Sequence, residues 1–195
     1  MKLSMTVDFL PDFPLQSQSA TAHDFLALGF TSYREAARYV QNLPYGRNSN
    51  RADFRLVLRE QHGTCSTKHA LLAQLAQEHG VDVELTLGMY EMNEKNTAGT
   101  GNILRRYRLD SLPEAHCFLT YQGNRFDLTR RVGTTEQNVD FLIEETILPE
   151  QIGEYKVEQH RVFLRQWCVA TGLDFDLAWK IREECIAAIT TASTT

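Results

Sequence analysis

The chain has 195 residues, with 20 Lys or Arg against 25 Asp or Glu, a formal charge of −5 and 43% hydrophobic residues. This is ordinary globular composition, which excludes a disordered or fibrous chain. The acidic balance argues against nucleic acid as a partner, because that binding neutralises phosphates with a basic surface.

The length predicts one domain spanning 1–195, large enough to bury roughly 70% of its unfolded surface and so to shelter a partly dry reaction site. No apolar run approaches the ~20 residues of a membrane helix. The stretch from Met1 to Pro14 has scattered apolar residues broken by Pro11 and Pro14, unlike the apolar core of a signal peptide. A cytoplasmic protein with no membrane partner is expected. Four cysteines (Cys65, Cys117, Cys168 and Cys185) are too few for a disulfide scaffold. Most should be small core or surface thiols.

In chain order, the first twenty residues read as extended, because the two prolines block a helix. Thr31 and Ser32 then cap a helix over Tyr33–Asn42 that stops before Pro44. A second helix is predicted over 51–60 and a third over 65–79. The third has Leu71, Leu72, Leu75 and Ala76 at helical spacing, with Gly80 at its C-terminal cap. At 81–87 the period switches to two, predicting a half-buried strand. Residues 91–101 read as a loop. Strands at 117–121 and 125–128 follow, joined across Gly123 and Asn124 as a hairpin. Helices are expected over 154–170 and 174–189. Helices, then an antiparallel sheet, then helices again give an α+β fold.

Cys65 closes the segment Gln61-His62-Gly63-Thr64-Cys65, where a glycine-containing turn feeds a helix. Unpaired N–H groups and the positive end of the helix dipole favour a thiolate there, and the same N–H groups can stabilise an adjacent oxyanion. Such a thiol needs an imidazole to move its proton and a third group to orient the ring. His116 opens the strand His116-Cys117-Phe118-Leu119-Thr120-Tyr121, and Asp127 lies in the returning strand. Cys, His and Asp in this order are candidates for one catalytic set.

These blocks resemble the transglutaminase-like superfamily, which shares its core with papain-like cysteine proteases. The resemblance rests on Gly63-Thr64-Cys65 with its apolar helix, on the strand from His116, and on Phe126-Asp127-Leu128-Thr129. It implies a Cys-bearing helix packed on an antiparallel sheet, with a core of about 31–130 and a helical extension of about 150–190. It also implies a cofactor-independent thiol acyl-transfer enzyme, a peptidase, amidase or transamidase, acting on a peptide or other amide-bearing substrate. Cys65 would be the nucleophile, His116 the general base and acid, and Asp127 the orienter, with no metal. A non-catalytic module binding a peptide or glycopeptide is the competing expectation.

Several alternatives stay open at this stage. Some relatives place an upstream Trp in the oxyanion hole, but Trp167 and Trp179 both lie downstream, leaving Gln61 as a weak second donor. A two-residue Gly123-Asn124 turn pairs Thr120 with Asp127 and leaves His116 about 13 Å along the strand. A loop over 121–124 instead pairs Phe118 with Asp127 and puts His116 on the diagonal, so the triad requires that register or a bulge. His69, one helical turn after Cys65, is a rival partner, a supporting residue or an exposed position. Cys65 and His69 with His62, His116 and Cys117 could be imagined as a zinc set, but there is no Cys-x-x-Cys pair and the spacing fits no standard module. His23, His79 and His160 read as surface residues. Arg130 and Arg131 read as solvated loop charges able to hold a carboxylate.

Overall fold

The computed structural model describes residues 6–16, 18–130 and 139–192. Seven α-helices and four strands lie within them: α1 (Ala20–Ala27), α2 (Tyr33–Asn42), α3 (Leu56–Glu60), α4 (Cys65–Glu78), β1 (Glu84–Met92), α5 (Gly101–Arg106), β2 (Leu112–Tyr121), β3 (Asn124–Phe126), β4 (Phe141–Ile147), α6 (Glu154–Thr171) and α7 (Phe175–Ala192). The fold is mixed α+β, and the four strands form one antiparallel sheet in the order β3-β2-β1-β4.

The predicted cap of α2 is present. The Glu35 N–H donates to Ser32 Oγ at 3.4 Å, and the Ser32 N–H donates to the Glu35 carboxylate at 3.1 Å. Tyr33, Ala36, Ala37 and Val40 then form its buried face. α3 is shorter than the predicted 51–60. The side chains of Asn50 and Asp53 accept the N–H groups of Ala52 and Arg55, each at 3.0 Å, so turns occupy the positions where a helix would have started. α1 was not predicted at all; it follows a segment that is extended except for a single turn at Val7–Phe9.

β1 runs from Glu84 to Met92 rather than over 81–87. Both of its faces are covered, so its second half loses the alternation that marks a half-exposed strand. Leu85, Leu87 and Met89, with Ala115, Cys117 and Leu119 of β2, pack against α1, α2 and α4. Tyr90 and Met92, with Leu112 and Phe118, pack against residues of α6 and α7. β4 was also missed. It is an edge strand whose Leu142 and Ile143 stay exposed, so it carries no burial pattern to read.

The hairpin has neither the Gly123-Asn124 turn nor the four-residue loop over 121–124, but a two-residue turn shifted by one position, which gives the same register as the longer loop. Leu119 pairs with Phe126 and Tyr121 with Asn124, so the turn residues are Gln122 and Gly123, not Gly123 and Asn124. Both have positive φ, 49° and 72°, as a tight two-residue hairpin turn demands. Asp127 follows directly after β3. Among the described residues, no helix is long and apolar enough to cross a membrane.

Candidate active site

Cys65 is the first residue of α4, and Thr64 is its cap. The Thr64 N–H donates to Thr67 Oγ1 at 3.0 Å, and the Thr67 N–H returns to Thr64 Oγ1 at 3.4 Å. This reciprocal cap leaves the Cys65 N–H at the open end of a fourteen-residue helix, where the dipole favours negative charge. The Cys65 thiol interacts with the His116 ring and with the Cys117 backbone N–H, and its Sγ stands 3.8 Å from Ser66 Oγ.

His116 stands on β2, half-buried, and its Nε2–H donates to Asp127 Oδ2 at 2.8 Å. With Nε2 engaged by the carboxylate, Nδ1 is the ring nitrogen left for sulfur. The Thr129 N–H donates to Asp127 Oδ1 at 2.9 Å, and the Thr129 hydroxyl donates to the same oxygen. The three residues singled out from sequence therefore meet at one place, with Asp127 held on its far side by the chain that follows it.

The electrostatics follow from that geometry. Burial pushes the Cys65 thiol up, but the charges of His116 and Lys156, with hydrogen bonds from His116 and the Cys117 N–H, outweigh it and bring the thiol down to about 6. Burial pulls His116 down, but the Asp127 carboxylate and the Cys65 thiolate raise it well above the ordinary histidine range. Asp127 is opposed by burial and held far below the usual carboxylate range by His116. The favoured state is a thiolate beside an imidazolium.

The other three thiols shift the opposite way. Burial raises Cys117 and Cys168, and it raises Cys185 to about 11. All four cysteines are free and buried.

His69 is neither exposed nor a partner of the sulfur. It is fully buried, its Nδ1–H donates to the Cys65 carbonyl at 2.7 Å, and its Nε2 accepts the Leu128 N–H at 2.7 Å. Desolvation lowers it to about 4, so the ring is neutral near pH 7. Its neighbours in the same helical turn are also buried. Thr67 Oγ1 donates to Asn48 Oδ1 at 2.8 Å, and Lys68 Nζ donates to the carbonyls of Leu43 at 2.6 Å and Thr129 at 2.9 Å. The polar run Ser66-Thr67-Lys68-His69 is therefore internal. Four consecutive residues on a helix point in all directions, so such a run after the cysteine already implied buried polar partners.

Gln61 is not an oxyanion donor. It ends α3 with a φ of 57°, its Oε1 accepts the Tyr39 hydroxyl at 2.7 Å, and its Nε2–H donates to the Leu58 carbonyl at 2.5 Å. His62 is occupied as well, with ring nitrogens 2.8 Å from the Glu60 carbonyl and 3.2 Å from that of Arg47. Among the described residues, no group of three or more His, Cys, Asp or Glu is arranged to hold a metal ion. His160, expected at the surface, is buried on α6. Its Nε2–H donates to the Pro113 carbonyl at 3.0 Å, and its ring lies 5.4 Å from that of Trp179. Arg130 lies over the Tyr45 ring at 5.4 Å, and Arg131 lies outside the described residues.

Two further features of the site escaped the sequence reading. Gly88 pairs with His116 across β1 and β2 and with Glu144 across β1 and β4. A Cβ on Gly88 would stand 2.2 Å from the Phe141 ring. Its absence lets that ring lie parallel to His116 at 6.4 Å, and a glycine inside a strand was the available signal. Glu114, two residues before His116 and on the same face, is buried and takes two hydrogen bonds of 2.7 Å each from Arg182 of α7.

Compared with protein-family models, with curated proteins and with solved structures, the chain matches none.

Proposed function

We propose that the protein is a thiol acyl-transfer enzyme of transglutaminase-like fold, a peptidase, amidase or transamidase acting on a peptide or other amide-bearing substrate. The observation that carries this reading is the 2.8 Å hydrogen bond from His116 to Asp127, with the Cys65 thiol interacting with the same ring. The fold assignment is supported by a Cys-bearing helix packed on an antiparallel sheet, with His116 on β2 and Asp127 directly after β3.

In the proposed reaction the Cys65 thiolate attacks the acyl carbon, and the carbonyl electrons move onto oxygen. The Cys65 N–H at the start of α4 is a donor for that oxyanion. His116 gives its proton to the departing amine as the carbon–nitrogen bond breaks, leaving a thioester. His116 then takes a proton from water or an acceptor amine, which attacks the thioester and releases Cys65. Asp127 keeps the ring oriented and stabilises its charged form throughout.

The competing reading, a module that binds a peptide or glycopeptide without turnover, draws on the 8% exposure of Cys65. Mass spectrometry after incubation with activated ester and amide acyl donors separates the two. The enzyme reading expects an acyl adduct on Cys65 that hydroxylamine removes and that Cys65→Ser lacks. Rapid alkylation of Cys65 with no acyl adduct from any donor would overturn it.

A further inference from the structure

The pair of Cys65 and His116 is not the whole charge balance of the site. Lys156 lies on α6, beyond the segment that supplies Cys65, His116 and Asp127. Its Nζ donates to Ser66 Oγ at 2.8 Å, and Ser66 Oγ stands 3.8 Å from Cys65 Sγ. A hydroxyl that accepts from an ammonium has its own hydrogen free to donate onward. That hydrogen has the sulfur within reach.

Lys156 is half-buried, and among the described residues no carboxylate lies within salt-bridge distance of it. Glu114, an acid that senses its charge, already holds Arg182 through two hydrogen bonds. A cation held in a partly dry site without a paired carboxylate is stabilised by any anion that forms beside it. The anion within one hydroxyl of it is the Cys65 thiolate.

We propose that Lys156 is the second cation of the Cys65 thiolate and acts on it through the hydroxyl of Ser66. The proposal deepens the acyl-transfer reading and relies on it for the role of Cys65. Lys156 is a positioning residue, because it reaches the sulfur through another side chain.

Its place in the fold is built for this. Gly153 opens α6 where a Cβ would stand 2.8 Å from Ala52 Cβ, so the helix start comes close to the segment before α3. The turn Pro149–Ile152 just ahead packs on α4. The C-terminal helices thus deliver a charge to a thiol that the core alone would leave to His116.

The other ionisable groups around the sulfur are accounted for. From β2 come His116 and Cys117, and from β1 comes Tyr90. Tyr45, in the segment after α2, interacts with Cys65, with the Glu114 and Arg182 pair and with Arg130, which lies over its ring at 5.4 Å. Around Lys156 itself stand Cys65, Cys117, Glu114 and His160. Lys156 is the cation of this set that a single hydroxyl, Ser66 Oγ, joins to the sulfur.

The test is the pH profile of Cys65 alkylation by iodoacetamide, mapped by peptide mass spectrometry on the full-length protein. Lys156→Met should move the midpoint up by about one pH unit and slow alkylation at pH 5 about tenfold. Lys156→Arg should restore the profile, and Ser66→Ala should shift it in the same direction as Lys156→Met by a smaller amount.

If Lys156→Met unfolds the protein, Lys156→Gln and the milder Ser66→Ala carry the measurement. An unchanged midpoint in folded Lys156→Met or Lys156→Gln, with His116→Ala still shifting it, overturns the role of Lys156 while leaving the triad standing. An unchanged midpoint in His116→Ala overturns the triad instead, and absence of acyl transfer with a Lys156-dependent midpoint overturns only the reaction assigned.

Discussion

The Leu128 N–H donates to His69 Nε2 at 2.7 Å, and this bond fastens the residue after Asp127 to the turn of helix that begins with Cys65. The same ring donates through Nδ1 to the Cys65 carbonyl. One buried histidine therefore ties the helix that begins with Cys65 to the loop that holds Asp127.

Replacing His69 should cost stability in a pH-dependent way. Its ring takes up a second proton, and with it a charge, only below about 4 in the folded chain, against 6.5 for a free histidine. As pH falls, the unfolded chain takes up the proton first, so the ring's contribution is full above pH 6.5 and is lost progressively down to about 4. His116 titrates with the opposite sign, so the comparison must be between proteins that share it. His69→Gln should be about 2–3 kcal/mol less stable than wild type in urea unfolding at pH 7, because a buried donor or acceptor is left unpaired. That gap should narrow by pH 5.

Cys65 should label alone. Its thiol is brought down to about 6, while burial raises the other three, Cys185 to about 11. The thiolate is present above about 6 and is lost as pH falls through that value. The imidazolium persists past the ordinary histidine range because His116 is raised. One equivalent of iodoacetamide at pH 7 should therefore modify Cys65 and leave Cys117, Cys168 and Cys185 intact. Acyl transfer should rise near pH 6 and fall only above the usual histidine range. His116→Ala should move the alkylation midpoint upward.

Asp127→Asn should lower acyl transfer by about 10²–10⁴-fold. The amide can still meet Thr129 through its carbonyl, so the fold should survive. What is lost is the charge that stabilises imidazolium, and with it the raised affinity of His116 for its proton. The His116 titration, followed by NMR, should move down. A titration unchanged in Asp127→Asn would show that the carboxylate does not govern the ring.

The Glu114 and Arg182 pair makes a prediction of stability rather than chemistry. Burial pushes Glu114 up, but Arg182 holds it down to about 2. The depressed value means its stabilisation is present above the ordinary 4.5 and is lost as pH falls toward 2. Glu114→Gln leaves the buried Arg182 guanidinium with the more exposed Glu183 as its counter-charge and should cost about 3 kcal/mol in thermal or denaturant unfolding.

What the sequence made legible was local. The cap at Ser32, the helix from Cys65 and the hairpin around Gly123 each follow from residues within a few positions of one another. The meeting of His116 with Asp127 was legible because a helix start at Cys65 and a pair of adjacent strands carry residue types that are rare in combination. The unread parts depend on distance or on exposure. β4 pairs with β1 but exposes both faces, so no period marks it. Lys156 and Arg182 reach the site from helices whose docking no local pattern announces, and α3 is shortened by two side-chain turns that compete with the helix. The hairpin register lay between. The sequence allowed two pairings, and the positive φ at Gln122 selects the one that brings His116 to Asp127.

The buried run Ser66-Thr67-Lys68-His69 gives the thiol a property beyond acidity. Its members grip three stretches of chain: α6 through Ser66, the segment after α2 through Thr67 and Lys68, and Leu128 with Thr129 through His69 and Lys68. The environment that sharpens the sulfur is thus assembled from pieces that come together only when folding is complete. A nascent or damaged copy carries a dull, ordinary sulfhydryl. Electrophile capture at position 65 is accordingly a gauge of how many molecules in a sample are intact.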